Sequence, residues 1–510
     1  MKPRTLISVI AIAVMTALSF TTSLAAQDAA PAKPAQHHQY KLIDLGTFGG
    51  PQSAYFSEPV VQSVNNRGTV AGGADTALPD PYAPNCFYDC YIMHAFQWAN
   101  GVLTDLGTLP GGYSSAAYWI NDRGDVMGGS ENGLIDHLTG LPEQISVVWK
   151  HGQIQNLGTL GGSFSFGNAM NNRGDVVGLA LNAVSDPLSY LGLGTQTRAF
   201  LWRKGTMQDL GTLGGPDSWA ASINDRGQVA GWALVDSTVN PITGSPTQHP
   251  FLWENGVMSD LGTLGGTYAV VGSSQSPGAG ASINSSGQVI GASNLAGDLT
   301  HHPFLWTRAT GMVDLGTLGG DNGEAWWIND AGEIVGRADI AGPQHNHHAF
   351  LWKDGEMKDL GVAKGWPCST AIDINSKGQV IIDTGICGVG GGPGLLWENS
   401  ALYDLNTLIS PGSGFLIGDV NFINDGGEIA ATGLLANGDQ HALLLIPCDD
   451  DHPNVEGCDY SEVDASVASV PRPPVVSQPS ASSPAPTLNQ LRNRLMQRYR
   501  LPGQRPVPRD

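Results

Sequence analysis

The sequence predicts an all-β protein, an eight-bladed β-propeller of four-stranded antiparallel blades closed by an N-terminal strand that completes the last blade. Three observations predict it. Glycine is abundant, at 68 of 510 residues, and charged residues make up 14%, a mix that suits short strands joined by tight turns. Three sequence elements each recur eight times, about 45 to 60 residues apart. The chain also begins with a lone strand and ends with a blade one strand short.

The first element is "DLGTLGG", spelled identically at Asp209–Gly215, Asp260–Gly266 and Asp314–Gly320, with looser copies from Asp44, Asp105, Asn156, Asp359 and Asp404. The second is Asn-x-x-Gly before an apolar run, at Asn65, Asn121, Asn171, Asn224, Asn284, Asn329, Asn375 and Asn424. The third is an apolar triplet, often "AFLW" after a histidine, ending at Trp98, Trp149, Trp202, Trp253, Trp306, Trp352, Trp397 and Leu445. Each period thus holds four strand-like pieces. Strand a runs into the asparagine, strand b leaves the glycine, strand c is the triplet, and strand d ends in Asp-Leu-Gly. Asparagine bonds its own backbone and glycine supplies positive φ, so Asn-x-x-Gly is a tight turn. Four antiparallel strands in a period of this length describe a propeller blade.

The chain enters with a strand d, "YKLIDLG", and leaves after strands a, b and c of the last period ("VNFIND", "EIAATG", "HALLLIP"). Joining the two ends removes an open sheet edge. Seven blades with one divergent period outside the ring is the alternative count. An open solenoid would need terminal caps, and none is visible.

"HAFLW", "IND.G.V.G" and "DLGTLGG" together resemble the HAF-family extracellular repeat proteins of bacteria. The resemblance covers about Tyr40 to Pro447 and implies an exported repeat protein. It supplies no catalytic motif.

Lys2 and Arg4 precede an apolar run from Leu6 to about Phe20 and the small residues Ser23-Leu24-Ala25. This order marks residues 1–25 as a cleaved signal peptide and the protein as extracytoplasmic: secreted, surface-bound or periplasmic. Residues 26–39 read as a disordered leader and 40–447 as the propeller. Residues 448–464 read as an acidic loop closed by cysteines, 465–486 as a Pro/Ser/Ala-rich linker, 487–500 as a short basic amphipathic helix, and 501–510 as a tail. The helix offers a docking element for a partner or the envelope; no span of the mature chain is long and apolar enough to cross a membrane. Six cysteines in an exported chain pair locally as Cys86–Cys90, Cys368–Cys387 and Cys448–Cys458. Net charge is −21, and nine of the 25 basic residues lie in the signal peptide or after Ala465. So acidic a body argues against a nucleic-acid partner.

In a four-stranded meander the a–b and c–d turns share one face, here uniformly tight, while b–c and d–a connections share the other and vary in length. Binding is expected on the variable face, where Tyr88, Tyr91, Tyr113, Trp219, Tyr268, Trp326 and Trp366 are the candidate ligand-binding residues. The histidines before strand c (His94, His249, His302, His348, His441) are too dispersed for one metal ion and read as hydrogen-bonding within a blade. Arg123-Gly124-Asp125 and Arg173-Gly174-Asp175 read as turn chemistry. The glycine run Cys387–Gly394 lacks a following helix and is no phosphate cradle. No metal site, cofactor or catalytic motif emerges. The expectation is a non-catalytic scaffold binding a protein or glycan through its loop face. The alternatives are a carbohydrate-active enzyme with dispersed acidic residues at the tunnel mouth, and a structural envelope component.

Overall fold

The computed structural model of the chain describes residues 36–464, apart from 56–61, 84, 139, 188, 273–280 and 343. The expected signal peptide, linker, basic helix and tail lie outside the described residues, as does the leader up to residue 35. The rest of that leader is ordered: Gln36–His38 is a strand paired with Glu462–Asp464.

The regular structure of the described residues is all strand apart from one 3-10 turn at Leu405–Thr407. Strands pair as successive antiparallel meanders, a beside b, b beside c, c beside d. The sixth is typical: Gly319–Ile328, Ile334–Ile340, His347–Lys353 and Glu356–Gly361. The seventh comprises Cys368–Ile374, Val380–Ile386, Leu395–Glu398 and Ala401–Asp404. The last has strands Phe415–Ile423, Ile429–Leu435 and Gln440–Pro447, and its fourth strand is Tyr40–Asp44, with Tyr40 opposite Pro447 and Asp44 opposite Leu443.

The recurrent residues have separate jobs. The phenylalanine of "AFLW" fills the core: Phe96, Phe200, Phe251, Phe304 and Phe350 are fully buried, each worth about 2–3 kcal/mol of apolar burial. Strand b makes room with glycine. A Cβ on Gly231 would stand 2.1 Å from Trp219 O and 2.6 Å from Phe251 Cζ. In "DLGTLGG" the aspartate accepts from the glycine two residues on (Gly262 N to Asp260 Oδ1, 2.8 Å), and the threonine hydroxyl donates to the second of the paired glycines (Thr263 Oγ1 to Gly266 O, 2.8 Å). The motif is a joint between one meander and the next.

The turn asparagines bond to one another. Each Oδ1 closes its own turn, as Asn224 does for Arg226 N and Gln228 N. Each Nδ2 donates to the backbone carbonyl of the next turn asparagine, at 2.9–3.2 Å: Asn65 to Asn121, then Asn171, Asn224, Asn284, Asn329, Asn375 and Asn424, and Asn424 to Asn65. Two residues upstream lie side chains that fill the space between the strands a. Trp327 and Phe422, from the sixth and eighth meanders, meet at 5.5 Å, and Asp373 between them accepts from Ile374 N and Ile423 N. Burial pushes the Asp373 carboxyl up to about 8, despite those two backbone donors.

Candidate functional site

Aligning the meanders on their turn asparagines isolates one cross-strand slot. It pairs a strand-a residue five before the asparagine with a strand-b residue eight after it, and an insertion before the turn shifts the strand-a member in the first and fifth meanders. The slot is Ala54–Gly73, Ala116–Gly129, Phe166–Leu179, Trp219–Trp232 and Val270–Ala292 in the first five meanders. All ten residues are buried. In the next three it is Glu324–Arg337, Thr370–Asp383 and Asp419–Thr432. One position thus changes from apolar to polar, and solvent reaches Arg337, Thr370, Asp383 and Asp419. Trp327, Asp373 and Phe422 lie three residues further along the same strands a, toward the turn.

Glu324 is 1% exposed and held on several sides. Arg337 Nη2 lies 3.3 Å from Oε2, His301 Nε2 lies 3.4 Å from Oε1, and Trp326 Nε1 donates to Oε2 at 3.2 Å. The Arg337 guanidinium also covers the Trp326 ring at 5.5 Å, which fixes its plane. In the seventh meander Asp383 accepts from Val420 N at 2.9 Å, beside Asp419 of the eighth. Burial, and then the charge of Asp419, push Asp383 well above the usual carboxylate range. Burial raises Asp419 as well, although solvent reaches it. A carboxyl that is both wetted and poorly solvated sits in a recess. Next to it, Asn421 is 2% exposed, accepts from Thr432 Oγ1 at 3.2 Å, and has no partner for Nδ2 among the described residues.

Two like charges at close quarters resist ionising together, an arrangement suited to setting a proton donor beside a proton acceptor in one recess. The rim is stiffened from the loop side. Cys368 lies two residues before Thr370, Cys387 four after Asp383, and the two form a disulfide. His347 abuts this bridge, its backbone N donating to Cys368 Sγ at 3.3 Å. Burial and the neighbouring Arg337 hold His347 down at about 4, so it is neutral. His347, Cys368 and Cys387 are the one cluster of metal-ligating side chains among the described residues, and both sulfurs are committed to the disulfide.

The other expected positions scatter. Trp219 is 1% exposed, donating from Nε1 to Asn168 Oδ1 at 2.8 Å and packed on Tyr190 and Trp232. Tyr88 is buried; Tyr268, Trp326 and Trp366 are half-buried against the core. Tyr91 and Tyr113 are exposed, Tyr113 packing edge-on to Tyr82 at 6.0 Å. Five of the seven are thus buried or half-buried, Trp219 in the gap between the third and fourth meanders. The bridges Cys86–Cys90 and Cys448–Cys458 are present. Each recurring histidine bonds the aspartate ending strand d: His94–Asp105, His249–Asp260, His302–Asp314, His348–Asp359 and His441–Asp44, at 2.8–2.9 Å.

A second acidic contact is structural. Asp75 is fully buried and accepts from Gln52 N at 3.0 Å. Burial and the carboxylate of Asp89 push it up to about 9. Glu131 and Asp339 occupy the same place in their meanders and also accept backbone N–H groups of the incoming segment.

No family model matches the chain, and no curated protein matches it. Among solved structures it is similar to a puromycin-hydrolyzing peptidase of Mycobacterium tuberculosis (10% identity, 64% of this chain and 51% of that one, TM-score 0.37). It is similar also to the β-propeller domain of the trilobed protease of Pyrococcus furiosus (10%, 69% and 97%, 0.39). A third is an ulvan lyase, a polysaccharide lyase (11%, 74% and 100%, 0.35). The chain spans about half the length of the first of these peptidases. The expectation of a non-catalytic scaffold is corrected at the site itself: the loop side holds an acidic recess with Asp383 and Asp419 where that expectation needed an aromatic patch.

Proposed function

We propose that this chain is an exported repeat protein of the HAF type, an eight-bladed propeller closed by its N-terminal strand, that cleaves a polysaccharide by acid–base catalysis. The asparagine relay that returns from Asn424 to Asn65 supports the closed ring, and three disulfides fit an oxidising compartment.

The observation that carries the catalytic reading is the Asp383–Asp419 pair, open to solvent in a slot that five other meanders fill with buried apolar side chains or glycine. Glycosidic bond cleavage needs one carboxylic acid to protonate the leaving oxygen and one carboxylate to act as base or nucleophile, and two neighbouring carboxyls are the groups for it. In this scheme Asp383, the more strongly raised, is the acid. Asp419, the more exposed, is the base or nucleophile. Thr370 and Arg337 line the substrate side, and Glu324 positions Arg337. The test is release of reducing ends from a panel of neutral and acidic polysaccharides by the mature protein, with Asp383→Asn and Asp419→Asn as controls. Product formed by wild type and lost in both variants supports the reading; no product on any polysaccharide, or unchanged product in either variant, rejects it.

A further inference from the structure

The opposite face, that of the tight turns, carries a charge pattern the loop-side site does not use. The residue two after each turn asparagine is Arg67, Arg123, Arg173 and Arg226 in the first four meanders, then Ser286, Ala331, Lys377 and Gly426. The asparagine relay makes those first four turns consecutive neighbours, so the arginines form an arc, and all four are exposed. Between the third and fourth meanders the arc opens into a cleft of about 600 Å³ lined by Lys150, Arg173, Asp175, Arg203, Lys204 and Arg226. Five cations there face one carboxylate. Asp175 is shared by Arg173 and Arg203, at 3.0 and 2.9 Å. Lys150 pairs with Asp125 at 3.1 Å; Lys204 and Arg226 have no ion pair among the described residues. The two guanidiniums lie over the next turn, where a Cβ on Gly227 would stand 2.5 and 2.7 Å from their Nη2 atoms. A smaller cleft of about 300 Å³ continues the arc between Arg67 and Arg123.

We propose that this arc binds an extended anionic polysaccharide, carboxylated or sulfated, independently of the catalytic reading. Guanidinium forks match carboxylate and sulfate oxygens bidentately, and a row of them on neighbouring turns fits a polymer with charges at intervals. A net charge of −21 repels a chain as densely charged as duplex nucleic acid. The aromatic rings lining the clefts, Trp149 and Trp202, are 2% and 4% exposed, and so offer no platform for bases.

The test is binding of polygalacturonate and dextran sulfate to the mature protein, with neutral dextran and duplex DNA as comparators, at low and at 0.3 M salt. The decisive variant is Arg67→Gln/Arg123→Gln/Arg226→Gln, whose side chains form no ion pair among the described residues; Lys377→Gln on the other half is the control. Expected are binding of an acidic glycan but not of dextran, weakening with salt, and a loss of about tenfold or more in the triple variant alone. No binding of either acidic glycan, equal binding of dextran, tighter binding of DNA, or an unaffected triple variant at unchanged melting temperature would each overturn it. Activity assays are not part of the readout, so this result and that of the catalytic proposal are separable.

Discussion

The same cross-strand slot has two fates. In the first five meanders it is packed shut, most heavily by Trp219 and Trp232, both essentially inaccessible. In the last three it holds Arg337, Thr370, Asp383 and Asp419, which solvent reaches, with Glu324 and Thr432 buried opposite two of them. The backbone is the same on both sides: a bulge falls between the fourth and second residues before the turn asparagine at Gly167/Ala169 and Ala220/Ser222, and again at Ala325/Trp327 and Val420/Phe422. A repeated backbone therefore fixes where side chains point, and five copies spend that position on stability while three do not. Buried polar pairs are rarely better for stability than apolar ones of similar volume, which marks the three polar copies as kept for another purpose.

Exchanging the two fates gives the largest effect. Trp219→Glu with Trp232→Arg places the Glu324–Arg337 pair into the closed sector. It removes two aromatic side chains from the core and buries two charges without the His301 and Trp326 partners of the native pair. The expected loss is about 5 kcal/mol or more, read by denaturant unfolding; a variant within 1 kcal/mol of wild type would show the two sectors to be equivalent.

Next comes the open sector. Asp383→Asn is expected to lower kcat on the cleaved polysaccharide about 10²- to 10⁴-fold with an unchanged far-ultraviolet spectrum. The amide preserves the volume of the Asp383 carboxyl but lacks a transferable proton. A stable protein with full activity would reduce the slot to a structural polar patch.

How much of this was legible in the sequence follows from which signals repeat. The turn at Asn-x-x-Gly, the four strands per period and the docking of Tyr40–Asp44 as a strand d come from local chemistry written eight times. The pairing of Cys368 with Cys387 was legible too, and it staples the rim of the recess. The recess itself was not, because Glu324, Thr370 and Asp419 belong to no motif. They are marked by being unlike their counterparts at a fixed distance from the asparagine. Reading the columns five before and eight after that residue would have shown Arg337 and Asp383 against Leu179 and Trp232. Aromatic residues misled for a physical reason: Trp219 and Tyr88 are large apolar groups first, and gaps between twisted sheets are where large apolar groups go. Arg123 and Arg173, taken singly, read as turn chemistry; that they neighbour Arg67 and Arg226 is supplied by the fold.

A smaller effect tests what both sectors share. Asn224→Ala removes an Oδ1 that closes its own turn and an Nδ2 that bonds Asn284 O at 3.0 Å. It leaves buried backbone groups unpaired, at about 1–3 kcal/mol. Asn375→Ala in the open sector is expected to lose a similar amount, because the relay is the same there. A loss confined to one sector would show that the meanders of the two sectors are not joined alike.

The smallest effect separates two solutions to one contact. His441 bonds Asp44 at 2.9 Å, and Arg198 takes the equivalent place against Asp209 at 3.2 Å. The hydrogen bond to Asp44 raises the His441 pKa above its usual value. A raised folded-state pKa means the folded protein holds the proton more tightly than the unfolded chain. Its stabilisation is therefore complete below the unfolded value of about 6.5 and fades as pH rises through the folded value. His441→Ala should cost about 0.5–1 kcal/mol at pH 5.5, and the gap from wild type should shrink by pH 9. Arg198→Ala, lacking any titration in that range, should show the same gap at both. Parallel gaps for the two variants would mean that the histidine acts through packing, and that its charge plays no part in holding the N-terminal strand to the last meander.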